Sequence, residues 1–180
     1  MHWSDIEHTQ PRLARLAQEL LIDPGVVLVA TIRHDGTPRL SAVEPYVLDG
    51  QLWLSMMWQS MKARDLLRDG RILVHSVITG RDGAQGEFKI RGTARAEKDP
   101  AAQRRYADAV AAALGWDPQP GRFHLFAVDI YQVAFITYDP GGSGDQHVAT
   151  WPPGREFIRR ATSATSVGAP EPATDIIQAD

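Results

Sequence analysis

Apolar residues recur along this chain at two different spacings, and the change from one to the other marks its elements. Leu13, Leu16, Ala17, Leu20 and Leu21 fall at helical intervals, which predicts an amphipathic helix over residues 10–22 that ends at Asp23-Pro24-Gly25. From residue 26 the period shortens. "VVLVATI" (Val26 to Ile32) is the run of a buried strand, "RHDG" supplies turn chemistry, and "TPRLSAVEPYVL" continues extended to a second turn at Asp49-Gly50. "LWLSMMW" and "RILVHSVI" read as further strands. In "EFKIRGTARAEK", Phe88, Ile90, Gly92, Ala94 and Ala96 share one face, the alternation of a half-buried antiparallel strand. Asp99-Pro100 opens an alanine-rich helix that stops at Gly115. "FHLFAVDIYQVAFITY" restores strand character, and its length predicts a bend near Asp129.

Short strands joined by tight turns, with helices at the start, at one corner and before the last strand, predict a mainly β (α+β) fold. Its expected form is a split antiparallel barrel of about six strands with peripheral helices, spanning residues 26–138 of a domain at 1–160. Periodicity alone does not separate barrel from sandwich. The segment from 161 to 180 is poor in large apolar groups and rich in Ala, Thr, Ser and Pro, which predicts a flexible tail.

Composition narrows the function more than the fold. A chain of 180 residues with 43% apolar content can bury one real core. Its net charge of −3 and lack of a basic block give no electrostatic reason for a nucleic-acid or membrane partner. There is no cysteine, so a disulfide frame, a thiolate nucleophile and Cys-ligated zinc are excluded, and redox chemistry needs a borrowed cofactor. No apolar run reaches the roughly 20 residues of a membrane span, and the first residues lack a signal-peptide core, which makes the cytoplasm the expected location.

"QSMKARDLLRDG" (Gln59 to Gly70) concentrates the candidate chemistry. It reads as a short helix with Ser60 as N-cap, Leu66 and Leu67 as its apolar residues and Gly70 as its stop. Lys62 and Arg64 lie in or just past its first turn, the end whose free N–H groups are already positive. Solvated surface charge is one explanation. Capture of an anion, a phosphate above all, between those N–H groups and the lysine is the other.

The succession "VLVATIRHDGTPRLSAV", "DGQLWLSMMWQSMKARDLLRDGRILVHS" and "GEFKIRGTARAE" resembles the pyridoxamine-phosphate-oxidase-like family of FMN-binding split barrels. The resemblance implies an FMN- or F420-dependent oxidoreductase, with the cofactor at the interface of a homodimer and hydride passed through the flavin N5 to or from a small organic substrate or NAD(P)H. It implies that Ser60 and Lys62 hold the cofactor phosphate, that Arg39 lies near it, and that Arg39, Ser41 and Val43 form a strand face beneath the ring. Met56 and Met57 fall where the family offers groups to the ring, and Arg64 is a further phosphate candidate. Glu87 stands where such oxidases carry glutamine. Deazaflavin-dependent relatives often have a basic residue two positions before the phosphate lysine; Ser60 there favours FMN over F420. "WPPGREFIRR" replaces the Arg-Leu-His-x-Arg of true pyridoxamine-phosphate oxidases, so vitamin B6 is not the expected substrate. A flavin-binding or storage module without turnover is the alternative outside enzymes.

Other residues have plainer readings. His75 lies within an apolar strand, where a hydrogen-bonded, buried histidine is expected. The remaining histidines show no metal-ligand spacing. Trp53 and Trp58 are expected in the core or a dimer surface, and Trp151, beside Pro152-Pro153-Gly154, is a candidate ring near a ligand. No side chain stands out as a catalytic acid or base.

Overall fold

The computed structural model describes residues 1–81, 83–174 and 176. Two helices, α1 (Trp3–Thr9) and α2 (Pro11–Ala17), lead into a π-helical turn at Gln18–Ile22. Leu13, Ala14, Ala17 and Leu21 are buried, as their spacing predicts, and Trp3 and Ile6 extend the same apolar face forward. Pro11 at the first position of α2 separates the two helices, because it cannot continue the hydrogen bonding of α1.

Ten strands follow in one antiparallel sheet: β1 (Val27–Ile32), β2 (Pro38–Val43), β3 (Pro45–Leu48), β4 (Gln51–Met57), β5 (Arg71–His75), β6 (Glu87–Glu97), β7 (Phe123–Tyr138), β8 (Gln146–Trp151), β9 (Arg155–Ser163) and β10 (Ser166–Pro172). Helix α3 (Met61–Arg68) joins β4 to β5, and α4 (Pro100–Leu114) joins β6 to β7. The path runs β10-β9-β8-β7-β6-β5-β1-β2, while β4 pairs with both β3 and β7. Strand β2 comes up against β4 without pairing to it, so the barrel is split rather than closed.

The 16 residues of β7 serve two neighbours. Its first half pairs with β4, Trp53 opposite Ala127 and Met57 opposite Phe123, and its second half with β8, Val133 opposite Trp151. The bend expected near Asp129 is a register shift against β6: Arg91 faces Gln132 but Gly92 faces Ile130, which leaves Tyr131 without a counterpart. Gly92 is required there, since a Cβ on it would collide with the Asp129 carbonyl.

Inward residues of the curled sheet form the main core. Val27, Val29, Leu54, Val74, Phe88, Ile90, Phe126, Val128 and Val133 all lie within it, each contributing about 1.5–3 kcal/mol through burial. A second cluster, Tyr106, Val110, Phe123 and Leu125, seats α4. Asp99 caps α4 by accepting from the Ala101 and Ala102 N–H groups at 3.1 and 3.2 Å, and Gly115 closes it in the left-handed conformation with φ 68°.

The structure departs from the sequence reading in three places. The extended run after Thr37 is two strands, broken at Glu44. Gly70 is not the cap of α3, whose C-cap is Asp69; Gly70 instead lets the chain approach β6, where an added Cβ would lie 2.7 Å from the Ala94 carbonyl oxygen. Beyond residue 160, where composition predicts a flexible tail, β9 runs on to Ser163 and β10 pairs back onto it, with Pro170 opposite Arg159 and Pro172 opposite Phe157. Residues 175 and 177–180 of that segment lie outside the described residues.

Candidate cofactor phosphate site

Helix α3 forms where Ala63 and Leu66 supply one buried face between exposed Met61, Arg64, Leu67 and Arg68. It packs against β1, β4 and β6, and three contacts set it along the open side of the barrel. Lys62 Nζ donates to the Ala42 carbonyl at 2.9 Å, Arg39 Nε donates to Asp65 Oδ2 at 2.7 Å, and Arg68 donates to the Ile32 carbonyl. Two long side chains, Lys62 and Arg39, thus bridge helix and strand, with Ser41 between the two β2 contacts.

Pairing across the sheet places the side chains. Arg39 lies opposite Thr31, Ser41 opposite Val29 and Val43 opposite Val27, so these three face the core side of β2 as alternation predicts. Pro38, Leu40 and Ala42 are exposed on the other side. The row grades from half-buried Arg39 and Ser41 to buried Val43.

Ser60 is the N-cap of α3 by position, with φ −60° and ψ 149°, yet its hydroxyl caps nothing. Its Oγ is buried and has no hydrogen-bond partner, an arrangement that costs free energy unless a further group supplies one. The first-turn N–H groups of α3 have no side-chain cap. Lys62 is half-buried and Arg64 exposed, and neither has an acidic partner among the described residues. A buried hydroxyl, free amides and unpaired cations on one helical turn form a donor set for an anion.

The other residues expected at the site separate. Met57 is 80% exposed at the end of β4, whereas Met56 is turned into the core. Glu87 shares the outer face of the sheet with Lys89 and His75, opposite to the Arg39 row in parity. Its carboxylate accepts from Lys89 Nζ at 2.6 Å and stands 3.0 Å from His75 Nε2, while His75 Nδ1 faces the Ser76 carbonyl at 2.6 Å. Trp151 packs against the main core at the end of β8, and four strands separate β8 from β2 in the sheet. Trp53 belongs to the second cluster, 6.4 Å from Tyr106. Within one chain, therefore, Arg39, Ser41, Ser60, Lys62 and Arg64 gather at α3 and β2, and Glu87 and Trp151 do not join them.

Two features escape the sequence reading. Asp65 is a buried carboxylate, 2% exposed, that accepts from Thr31 Oγ1 at 3.0 Å as well as from Arg39, with Arg68 3.5 Å from its other oxygen. Burial pushes its carboxyl up, but the hydrogen bonds from Arg39 and Thr31 and the charges of Arg39 and Arg68 prevail and hold it below the usual carboxylate range. The second is His124, stacked on Trp58 and accepting from the Gln59 N–H; both aromatic groups line a groove of about 710 Å³ with Leu67, Phe123 and Pro100. The only sequence signal for Asp65 is its place beside Leu66 on the apolar side of a basic helix.

Among the described residues, no group of three or more His, Asp or Glu could hold a metal ion, and no helix is long and apolar enough to cross a membrane.

A family model described as pyridoxamine 5'-phosphate oxidase matches residues 13–137. Solved structures of similar fold include a Clostridium acetobutylicum protein of the pyridoxinephosphate oxidase family related to general stress protein 26, 18% identical with a TM-score of 0.56 over 71% of this chain and 89% of that one. General stress protein 26 of Bacillus anthracis is 16% identical, with a TM-score of 0.54 over 71% and 93%. A heme-binding protein of Mycobacterium smegmatis is 26% identical, with a TM-score of 0.56 over 77% of this chain and 57% of its own. No curated protein matches the chain.

Proposed function

Because the chain belongs to the pyridoxamine 5'-phosphate oxidase family, we infer that it is a flavin-dependent oxidoreductase that holds FMN by its phosphate where α3 meets β2. The observation that carries this reading is the buried Ser60 hydroxyl without a partner, at the head of a helix whose Lys62 and Arg64 have no carboxylate partner among the described residues, while Arg39 and Arg68 share Asp65. A phosphate oxygen accepts from that hydroxyl and from the first-turn amides. Lys62 brings a mobile point charge, and Arg39 a planar group suited to two oxygens at once. The donor set therefore fits the group.

When bound, FMN would supply hydride transfer through its N5, taking the hydride from NAD(P)H and passing it to a small organic acceptor, or taking it from an organic substrate. The chain supplies position and charge. Ser41 and Val43, on the same row as Arg39, provide a surface beside the phosphate for the rest of the cofactor. The absence of a matching Arg-Leu-His-x-Arg segment argues against pyridoxamine phosphate itself as substrate.

The site is read as lying between two copies of the chain. Leu28, Ala30, Ile32 and Leu40 form an apolar strip on the outer face of β1 and β2, with Leu40 63% exposed. A second copy covering that strip removes it from water. In such a homodimer Glu87, on the same outer face, stands near the interface rather than under the Arg39 row.

Spectroscopy of the purified protein tests the reading. A flavin absorption band, FMN released on denaturation and bleaching by NAD(P)H are the expected results. A deazaflavin in its place transfers the same phosphate reading to F420. A protein that binds neither FMN nor F420 refutes it, and one that binds FMN but is never reduced is a storage module.

A further inference from the structure

We propose that Asp65 is a positioning residue: it holds the Arg39 guanidinium by its Nε, so that the terminal nitrogens of that group face the cofactor phosphate. This rests on the phosphate reading given above for α3 and β2.

A carboxylate this deeply buried is costly unless it is paired and hydrogen-bonded. Asp65 meets that condition through Arg39 Nε, Thr31 Oγ1 and Arg68. Its contact with Arg39 uses one of the five N–H donors of the guanidinium. The terminal nitrogens have no partner among the described residues, and the Arg39 side chain keeps 20% of its surface exposed. One edge of the fork is thus pinned and the other is open.

Charge alone makes a carboxylate unwelcome beside a phosphate, since the two repel. Four cations, Arg39 on β2 and Lys62, Arg64 and Arg68 on α3, outnumber the single carboxylate of Asp65, so it does not cancel the local positive charge. What it contributes is direction. Arginine loses rotamer freedom when it binds, and a side chain already held in place pays less of that cost. Thr31, on β1 opposite Arg39, fixes the carboxylate in turn by donating to the same Oδ2.

A purely structural role is the competing explanation, because Thr31-Asp65-Arg39 also ties α3 to β1 and β2. A double-mutant cycle in FMN affinity separates the two. Asp65→Asn keeps the shape but removes the charge that grips Nε, and FMN affinity, followed by quenching of flavin fluorescence, is expected to fall about tenfold or more. In the Arg39→Lys background the same substitution is expected to change affinity less than about twofold, since no guanidinium remains to be aimed. Riboflavin, which lacks the phosphate, is expected to bind D65N and the natural chain alike.

Equal losses in both backgrounds, or no loss in either, overturn the positioning role while leaving the phosphate site intact. A natural chain that does not bind FMN overturns the phosphate reading and this proposal together. Circular dichroism establishes that each variant is folded. Should D65N unfold, Thr31→Val takes its place in the cycle: it releases the carboxylate from its second donor, and a smaller loss of FMN affinity that vanishes beside Arg39→Lys is then the expected result, with an undiminished loss overturning the proposal.

Discussion

The Trp58 indole lies flat on the His124 imidazole, with ring centroids 4.5 Å apart and planes 11° from parallel. The same imidazole accepts from the Gln59 N–H through Nε2 at 3.2 Å, so that nitrogen carries no proton. Gln59 itself is left-handed, with φ 59°. A single neutral ring on β7 therefore secures the turn that delivers Ser60 to the head of α3.

Acid should loosen this turn. Burial holds the His124 pKa below its ordinary value of 6.5, so the unfolded chain binds the proton more readily than the folded one. The stability that depends on neutral His124 is complete above about pH 6.5 and is lost as pH falls through the lower folded value. A melting temperature that drops from pH 7.5 to pH 5, and a shallower drop in His124→Gln, are expected by thermal denaturation.

Lys62→Ala should weaken FMN binding by about 1.5–3 kcal/mol, the range for a hydrogen bond to a charged group. The lost bond to the Ala42 carbonyl is on the surface and should leave the melting temperature nearly unchanged. Titration calorimetry at two salt concentrations checks this, and an unaltered affinity counts against the phosphate assignment.

Backbone crowding gives a sharper stability test. Gly92→Ala drives a methyl group into the Asp129 carbonyl and should cost about 1–3 kcal/mol in urea unfolding. Gly154→Ala is its control: its nearest neighbours would be 3.9 Å away, so its midpoint should barely move.

Asp99→Ala removes the carboxylate that accepts from two first-turn amides of α4. A loss of about 0.5–2 kcal/mol is expected. Because Tyr106 and Val110 anchor α4 to β7, the helix should remain docked by circular dichroism.

Leu40→Glu places a charge on the outer strip of β2. If that strip joins two copies of the chain, sedimentation should find the variant monomeric and the natural protein dimeric. A dimer that survives the substitution sends the interface elsewhere.

Much of the architecture was legible because burial follows local alternation. Phe88 and Ile90 point inward with Lys89 between them, and Leu13, Ala17 and Leu21 share one helical face. The division of β7 between β4 and β8 was not legible, since it depends on partners far away in the chain. Nor was β10, whose exposed, proline-containing sequence carries little apolar signal of its own. At the site, Ser60 and Lys62 announce themselves by standing at the start of a helix. Asp65 does not, because the arginine that makes its burial tolerable is 26 residues away. Glu87 is instructive in the other direction: resemblance assigns it to the cofactor, yet its parity with Lys89, one step out of phase with Phe88 and Ile90, already puts it on the opposite face from the Arg39 row.

The two margins of the long sheet are unequal. At β10, Pro170 and Pro172 withhold amide donors and stiffen the border, so no further strand can be laid down there. At β2 the only proline is Pro38, at its first position, and the residues after it retain their amides. Proline thereby guards one rim against an added strand, whereas the other, the rim that also carries the arginine, is guarded by what lies against it: β4 and the Lys62 ammonium on the Ala42 carbonyl.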